Sequence, residues 1–125
     1  DLNTVSPKLG TVAVTPTVYD IGSPSVTSSD VAFSQLQSFT ASTGGAGTIR
    51  FQLIRDGSPH YHDGTRWVAA TLGSHTNTEA QVNANIRRFH LDIGAGTLRV
   101  RALFGSGTNA TNQATLTSVS VTGNQ

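Results

Sequence analysis

Apolar residues fall at every second position along several short stretches of the chain. Ile49, Phe51 and Leu53 alternate with Arg50, Gln52 and Ile54; Leu98, Val100, Ala102 and Phe104 alternate with Thr97, Arg99, Arg101 and Leu103. A period of two places one set on each face of a strand, so both stretches predict strands with an apolar side turned inward. Residues 115–122 continue the pattern as a last strand. Near the start, Leu9 to Pro16 and Thr17 to Ile21 read as short strands separated by Pro16, which lacks the N–H a ladder needs. The stretch from Val31 to Thr40 fits neither period, because Phe33, Leu36 and Phe39 recur at every third position. Helix formers are few there, and it reads as one strand with a bulge near Gln35.

Between these runs lie turn residues. Gly22 to Ser25 and Ser42 to Gly47 read as turns, Gly105 to Asn109 as a loop, and Asp63-Gly64 as the tip of a hairpin between His60-Tyr61-His62 and Thr65 to Ala69. One segment changes period. Thr76 and Glu79 have capping-box spacing, and Val82, Ile86 and Phe89 follow at i, i+4 and i+7, which predicts a short amphipathic helix near residues 78–89. Residues 1–9, polar and containing Pro7, read as an extended N-terminal arm, and residues 10–125 as a single domain. The expected fold is all-β: an antiparallel, jelly-roll-like β-sandwich of about eight strands closed at one end by the helix.

Composition narrows the function. Only 12% of the 125 residues are charged and the formal net charge is +1, so no overall field draws the chain to polyanions. Seven of the eight basic residues are Arg, all between Arg50 and Arg101. The interleaved aromatics of single-strand binders are missing, which excludes nucleic acid. There is no cysteine, hence no disulfide frame and no thiolate chemistry. No apolar run is long enough to insert into a membrane. The chain starts at Asp1, and with its Lys-poor, hydroxyl-rich surface it reads as extracellular, at a cell or virion surface, after removal of a leader peptide.

The segment Gly47 to Leu53, followed by Tyr61, Gly64 and the Trp67-Val68 pair, then the capped helix from Thr78 to Ile86 and the strands Leu98 to Phe104 and Leu116 to Val121, carries a resemblance. Over residues 47–122 the chain resembles galactose-binding-like jelly-roll modules of bacterial and phage surface proteins. The resemblance implies an extracellular β-sandwich that either binds carbohydrate or builds fibres, capsid decorations and surface filaments. It also implies a core position for Trp67 under its hairpin.

Candidate chemistry is sparse. His60 and His62 leave one face of a strand beside Asp63, a start on a zinc, copper or nickel site, but spacing supplies no third ligand, so neither a metal nor another cofactor is expected. Among the carboxylates, Glu79 reads as a cap, Asp56 and Asp63 as turn residues and Asp1 as terminal; Asp20, Asp30 and Asp92 have no evident partner. Asp30 reads as a turn residue, with a calcium ligand as the alternative. With no nucleophile elbow or phosphate loop, no catalytic residue is assigned and the chain reads as a non-enzyme. Tyr61, Trp67, His60, His62 and Arg66 lie on one hairpin and form a candidate platform for sugar rings, the other reading of Trp67 being core packing. Arg50, Arg99 and Arg101 form a stripe if their strands are neighbours, suited to an acidic partner or an acidic polysaccharide. Leu9, Val12 and Val14 belong to a segment able to add a strand to a neighbouring sheet. Two function classes follow. One is a structural subunit of a bacterial or viral surface assembly, such as a pilus-like filament, a companion chain to a pilin or a virion decoration, whose partners are copies of itself or a companion protein chain. The other is a carbohydrate-binding module with a glycan as ligand.

Overall fold

The alternating runs at residues 48–55, 96–105 and 114–124 fold as the strands expected, with apolar side chains turned inward; the expected strand at residues 17–21, most of the turn at residues 22–25 and the loop after Gly105 lie outside the described residues. In the computed structural model, which describes residues 3–5, 12–14, 25–28, 30–45, 47–105 and 114–124, the strands are β1 (Asn3–Val5), β2 (Val12–Val14), β3 (Ser25–Thr27), β4 (Val31–Phe33), β5 (Gln35–Gly45), β6 (Thr48–Arg55), β7 (Ser58–His62), β8 (Trp67–Ala69), β9 (Gly96–Gly105) and β10 (Ala114–Asn124). They form two antiparallel sheets. In the first, β10 pairs along one edge with β5 and along the other with β1 and β2, which follow one another in a single lane. In the second, β3 and β4 share the lane beside β9, followed by β6, β7 and β8. The ten segments thus occupy eight lanes, three facing five.

Between the sheets lie Phe39, Phe51, Leu53, Leu98, Val100, Ala102, Phe104, Leu116, Val119 and Val121, all buried. Burial of these side chains drives the two sheets together, at about 25 cal/mol for each Å² of apolar surface taken from water. The narrower sheet leaves β7 and β8 with no strand opposite, and the helical segment fills that place. It runs as α1 (Glu79–Asn85), a 3-10 turn (Ile86–Arg88) and α2 (Phe89–Asp92), touching β5 on one side and β7 and β8 on the other. Val82, Ile86 and Phe89 are the buried side chains, as their spacing predicts.

Four local expectations change. The stretch from Val31 is not one bulged strand: the chain leaves the five-lane sheet at Ser34 and enters the other, so Phe33 and Leu36 reach the core from different sheets. The bulge lies at Gln37, where Thr122 pairs with Ser38 and Gly123 with Leu36, and this extra residue keeps Leu36 and Phe39 on one face although they are three apart. Ser42 to Gly45 is not turn but the end of β5, paired with β10. Finally, the capping box joins Thr78 to Gln81, not Thr76 to Glu79.

Glu79 has another use. Its Oε2 accepts from the N–H of Ala41 at 2.6 Å, and Asn83 Oδ1 accepts from the N–H of Phe39 at 2.9 Å. Arg87 Nε donates to the carbonyl of Gln37 at 3.3 Å. The free edge of β5 is thereby occupied by helix side chains. Asp92 Oδ2 does the same for β8 by accepting from Trp67 N at 3.0 Å. These bonds take up edge groups on both strands that another strand could otherwise use.

Candidate functional site

The five hairpin residues proposed as a sugar platform do not share a face. His60, His62 and Trp67 turn inward: Trp67 is 2% exposed, donates from Nε1 to the carbonyl of Asn85 at 2.8 Å and meets Phe89 edge-on at 5.1 Å. His60 packs against Phe89, and His62 against Trp67. Burial pushes the His60 imidazole down from its ordinary pKa. Only Tyr61 faces outward, while Arg66 is exposed in the loop after β7. In that loop Asp63 Oδ1 accepts from the N–H groups of Arg66 at 3.0 Å and Thr65 at 2.8 Å, which hold its carboxyl below the usual range. No group of three or more His, Cys, Asp or Glu suited to a metal occurs among the described residues.

β6 and β9 are neighbours, so Arg50, Arg99 and Arg101 do lie on one sheet face, the outer face of the five-lane sheet. That face has two different ends. At one, residues 70–77 fold back over the strands. Arg50 donates from Nε to Thr76 Oγ1 at 2.9 Å and from Nη2 to the Thr76 carbonyl at 3.2 Å. Gln52 Nε2 donates to the carbonyl of His75 at 2.9 Å. The rings of Tyr61 and His75 stack, centroids 4.4 Å apart and nearly parallel, and His75 Nδ1 accepts from the N–H groups of Thr71 and Leu72. Asn77 bridges back into the sheet, its backbone paired with Phe51 and its side chain bonded to both N–H and carbonyl of His62.

The other end is open. A cleft of about 450 Å³ is lined by Thr27, Asp30, Ile54, Asp56, Gly57, Thr97, Arg99 and Arg101. Its first wall is the two-residue turn Asp56-Gly57 between β6 and β7, with φ of 50° and 87°. Both angles lie in the left-handed region, which the Asp-Gly pair tolerates in a tight hairpin. Asp56 is tied to β9 twice: its N–H donates to the Thr97 carbonyl, and its Oδ1 accepts from Thr97 N at 2.9 Å. Gly96 makes this approach possible, since a Cβ there would lie 2.7 Å from that same oxygen. Arg55 flanks the wall, with Nε 3.4 Å from Asp56 Oδ2. The second wall is the Asp30–Arg99 pair, in which Nε and Nη2 of the guanidinium each meet one carboxylate oxygen. This hydrogen bonding holds the Asp30 carboxyl below its ordinary range and pushes Arg99 up. Ile54, 4% exposed, forms an apolar floor.

Asp30 and Asp56, read from the sequence as turn residues, thus acquire a common place beside Arg99 and Arg101 that spacing did not reveal. The one legible signal was the alternation along β6 and β9, which sets Arg99 and Arg101 opposite the apolar face. Leu9 lies outside the described residues, while Val12 and Val14 have described backbone only, within β2 and paired to β10 of the same chain. Asn3–Val5 of the arm likewise pairs with β10. No helix among the described residues is long and apolar enough to cross a membrane. No family model matches the chain, and neither a curated protein nor a solved structure matches it.

Proposed function

We propose that this domain is a non-catalytic carbohydrate-binding module, working outside the cell or on a virion, with its ligand in the cleft between β3, β4, β9 and the β6–β7 turn. The observation that carries this reading is the lining: two carboxylates, two guanidinium groups and two threonine hydroxyls around an apolar floor. Such groups donate to and accept from sugar hydroxyls, and the aliphatic floor suits the C–H face of a sugar ring. The walls are set by backbone and ion-pair contacts before any ligand arrives, which lowers the cost of ordering on binding. The jelly-roll resemblance of residues 47–122 agrees with this use of the fold. The test is titration of the domain with oligosaccharides, followed by nuclear magnetic resonance. Shifts gathered at Thr27, Asp56, Thr97 and Arg101, and lost in Asp30→Ala, support the reading; shifts at the Tyr61–Trp67 hairpin instead, or none, overturn it.

A second reading, a structural subunit packed against copies of itself or a companion chain, has one observation in its favour. The outer side of β5 and β10 carries Ser38, Thr40, Ser42, Ser118, Ser120 and Thr122 facing one another across the strands, with no charge among them. An uncharged hydroxyl face packs against another protein surface without burying an ion. Assembly in this reading uses this face rather than the edges of β5 and β8, where helix side chains stand. Sedimentation settles it: a monomer at high concentration rules out self-assembly.

A further inference from the structure

We infer that the ligand of the cleft is an acidic saccharide, held by a fork of hydrogen bonds from Arg101 to a sugar carboxylate; this rests on the reading of the cleft as a glycan site. The charges in the cleft divide unevenly. Arg99 is matched by Asp30 in a two-point pair, and Asp56 by Arg55. Arg101 is in no ion pair among the described residues. Its Nη1 donates to Gln52 Oε1 at 3.2 Å, a neutral acceptor, and its register neighbours are Gln52 and Thr27. A guanidinium stays charged at every physiological pH, and the half-buried Arg101 lines the cleft with no carboxylate paired to it among the described residues. It has five N–H donors in a planar fork, and a carboxylate is the group that accepts two of them at once.

Gln52 prepares Arg101 for this. The Gln52 amide is 3% exposed, and its nitrogen is fixed by the carbonyl of His75, which turns its oxygen toward Arg101. The guanidinium is thus held at the cleft by a neutral partner that leaves its charge unspent. Thr27 and Thr97 flank it with hydroxyls suited to the remainder of a sugar ring, and Ile54 lies beneath. An acidic protein segment offers the same carboxylate but no ring of hydroxyls for the two threonines, which favours the sugar.

The experiment titrates the whole domain by calorimetry with a panel of oligosaccharides bearing galacturonate, glucuronate or sialate, each beside its methyl-ester counterpart, and with a glutamate-rich peptide. The acid form of at least one sugar is expected to bind tenfold or more tightly than its ester, with an affinity that falls as salt is raised. Arg101→Gln is expected to bring the acid down to the affinity of the ester, and Arg101→Lys to restore only part of the difference, having charge without the fork. Circular dichroism confirms that both variants fold. An ester that binds as tightly as its acid, or a preference that survives Arg101→Gln, overturns the inference and leaves the glycan site standing. Binding of neither sugar form overturns both, and binding of the peptide alone replaces the sugar with a protein partner.

Discussion

The outer face of the five-lane sheet uses one chemical pattern in two ways. At the end where residues 70–77 fold over it, Arg50 and Gln52 bond to the backbone and hydroxyl groups of that loop, and Tyr61 is covered by the ring of His75. At the other end Arg99 and Arg101 line an open cleft and bond to the side chains of Asp30 and Gln52. A backbone carbonyl cannot move aside without unfolding the loop that carries it, whereas a side-chain partner can be exchanged for a ligand group. Arginines of one sheet face thus act as fasteners at one end and, in the function proposed above, as recognition groups at the other. What separates them is the nature of the partner.

Stability measurements should break the molecule at the covered end first. Asn77→Ala removes the side chain that bonds both the N–H and the carbonyl of His62, stranding two buried backbone groups. A loss of about 3 kcal/mol in urea unfolding is expected. A loss below about 1 kcal/mol would mean that the loop merely rests on the sheet. Next in size is Gly96→Ala, which places a methyl group against the Asp56 carboxylate at a φ of 155°. Thermal melting should report a loss of about 2 kcal/mol, and the amide resonance of Thr97 should move as its bond to Asp56 is pushed away. An unmoved resonance would show that the cleft wall has room to give.

The arginines sharpen the contrast further. Arg50→Ala should cost about 1 kcal/mol, because two bonds to Thr76 are lost. Arg101→Ala should stay within about 0.5 kcal/mol, because the open cleft admits water to the Gln52 oxygen that loses its partner, while the Gln52 nitrogen keeps its bond to His75. Equal losses at the two positions would erase the distinction between fastener and recognition group.

How much of this could be read from the chain follows from the range of each interaction. The strands of β6 and β9 and the buried stripe of Val82, Ile86 and Phe89 were legible because their periods are local. The three-residue spacing of Phe33, Leu36 and Phe39 was ambiguous because it encodes a change of sheet at Ser34 and a bulge at Gln37, both visible only against β9 and β10. Glu79 looked like a cap because its bond to Ala41 spans the gap from helix to sheet edge. The cleft was illegible for the same reason. Asp30 and Arg99 lie 69 positions apart and Asp56 and Thr97 41 apart, and no local pattern encodes either pairing. The hairpin aromatics drew attention because they cluster in sequence, yet alternation along β7 and β8 sends Trp67 inward and Tyr61 outward.

The smallest expected effect concerns pH, and it distinguishes the core from the cleft by their windows. His60 lies on the core side of β7, against Phe89, with its Nδ1 unpartnered among the described residues and its pKa pushed down by burial. Its folded value therefore lies below the unfolded one, near 6.5. Between the two values the unfolded chain takes up a proton that the native chain refuses, so stability falls as pH drops through that window and levels off below the folded value. Asp30 is lowered as well, but from 3.8 and chiefly by the bond from Arg99. The stability it adds is present above its unfolded value and fades only as pH falls through the folded one. Unfolding followed from pH 8 to pH 2 should thus give a first decline near neutrality that vanishes in His60→Leu, and a later one that weakens in Asp30→Asn. If His60→Leu leaves the near-neutral slope intact, the imidazole is solvated and β7 is looser than its packing against Phe89 implies. If Asp30→Asn leaves the acid limb intact, the Asp30–Arg99 pair contributes nothing to the folded state, and the carboxylate is already free to yield its place to a ligand.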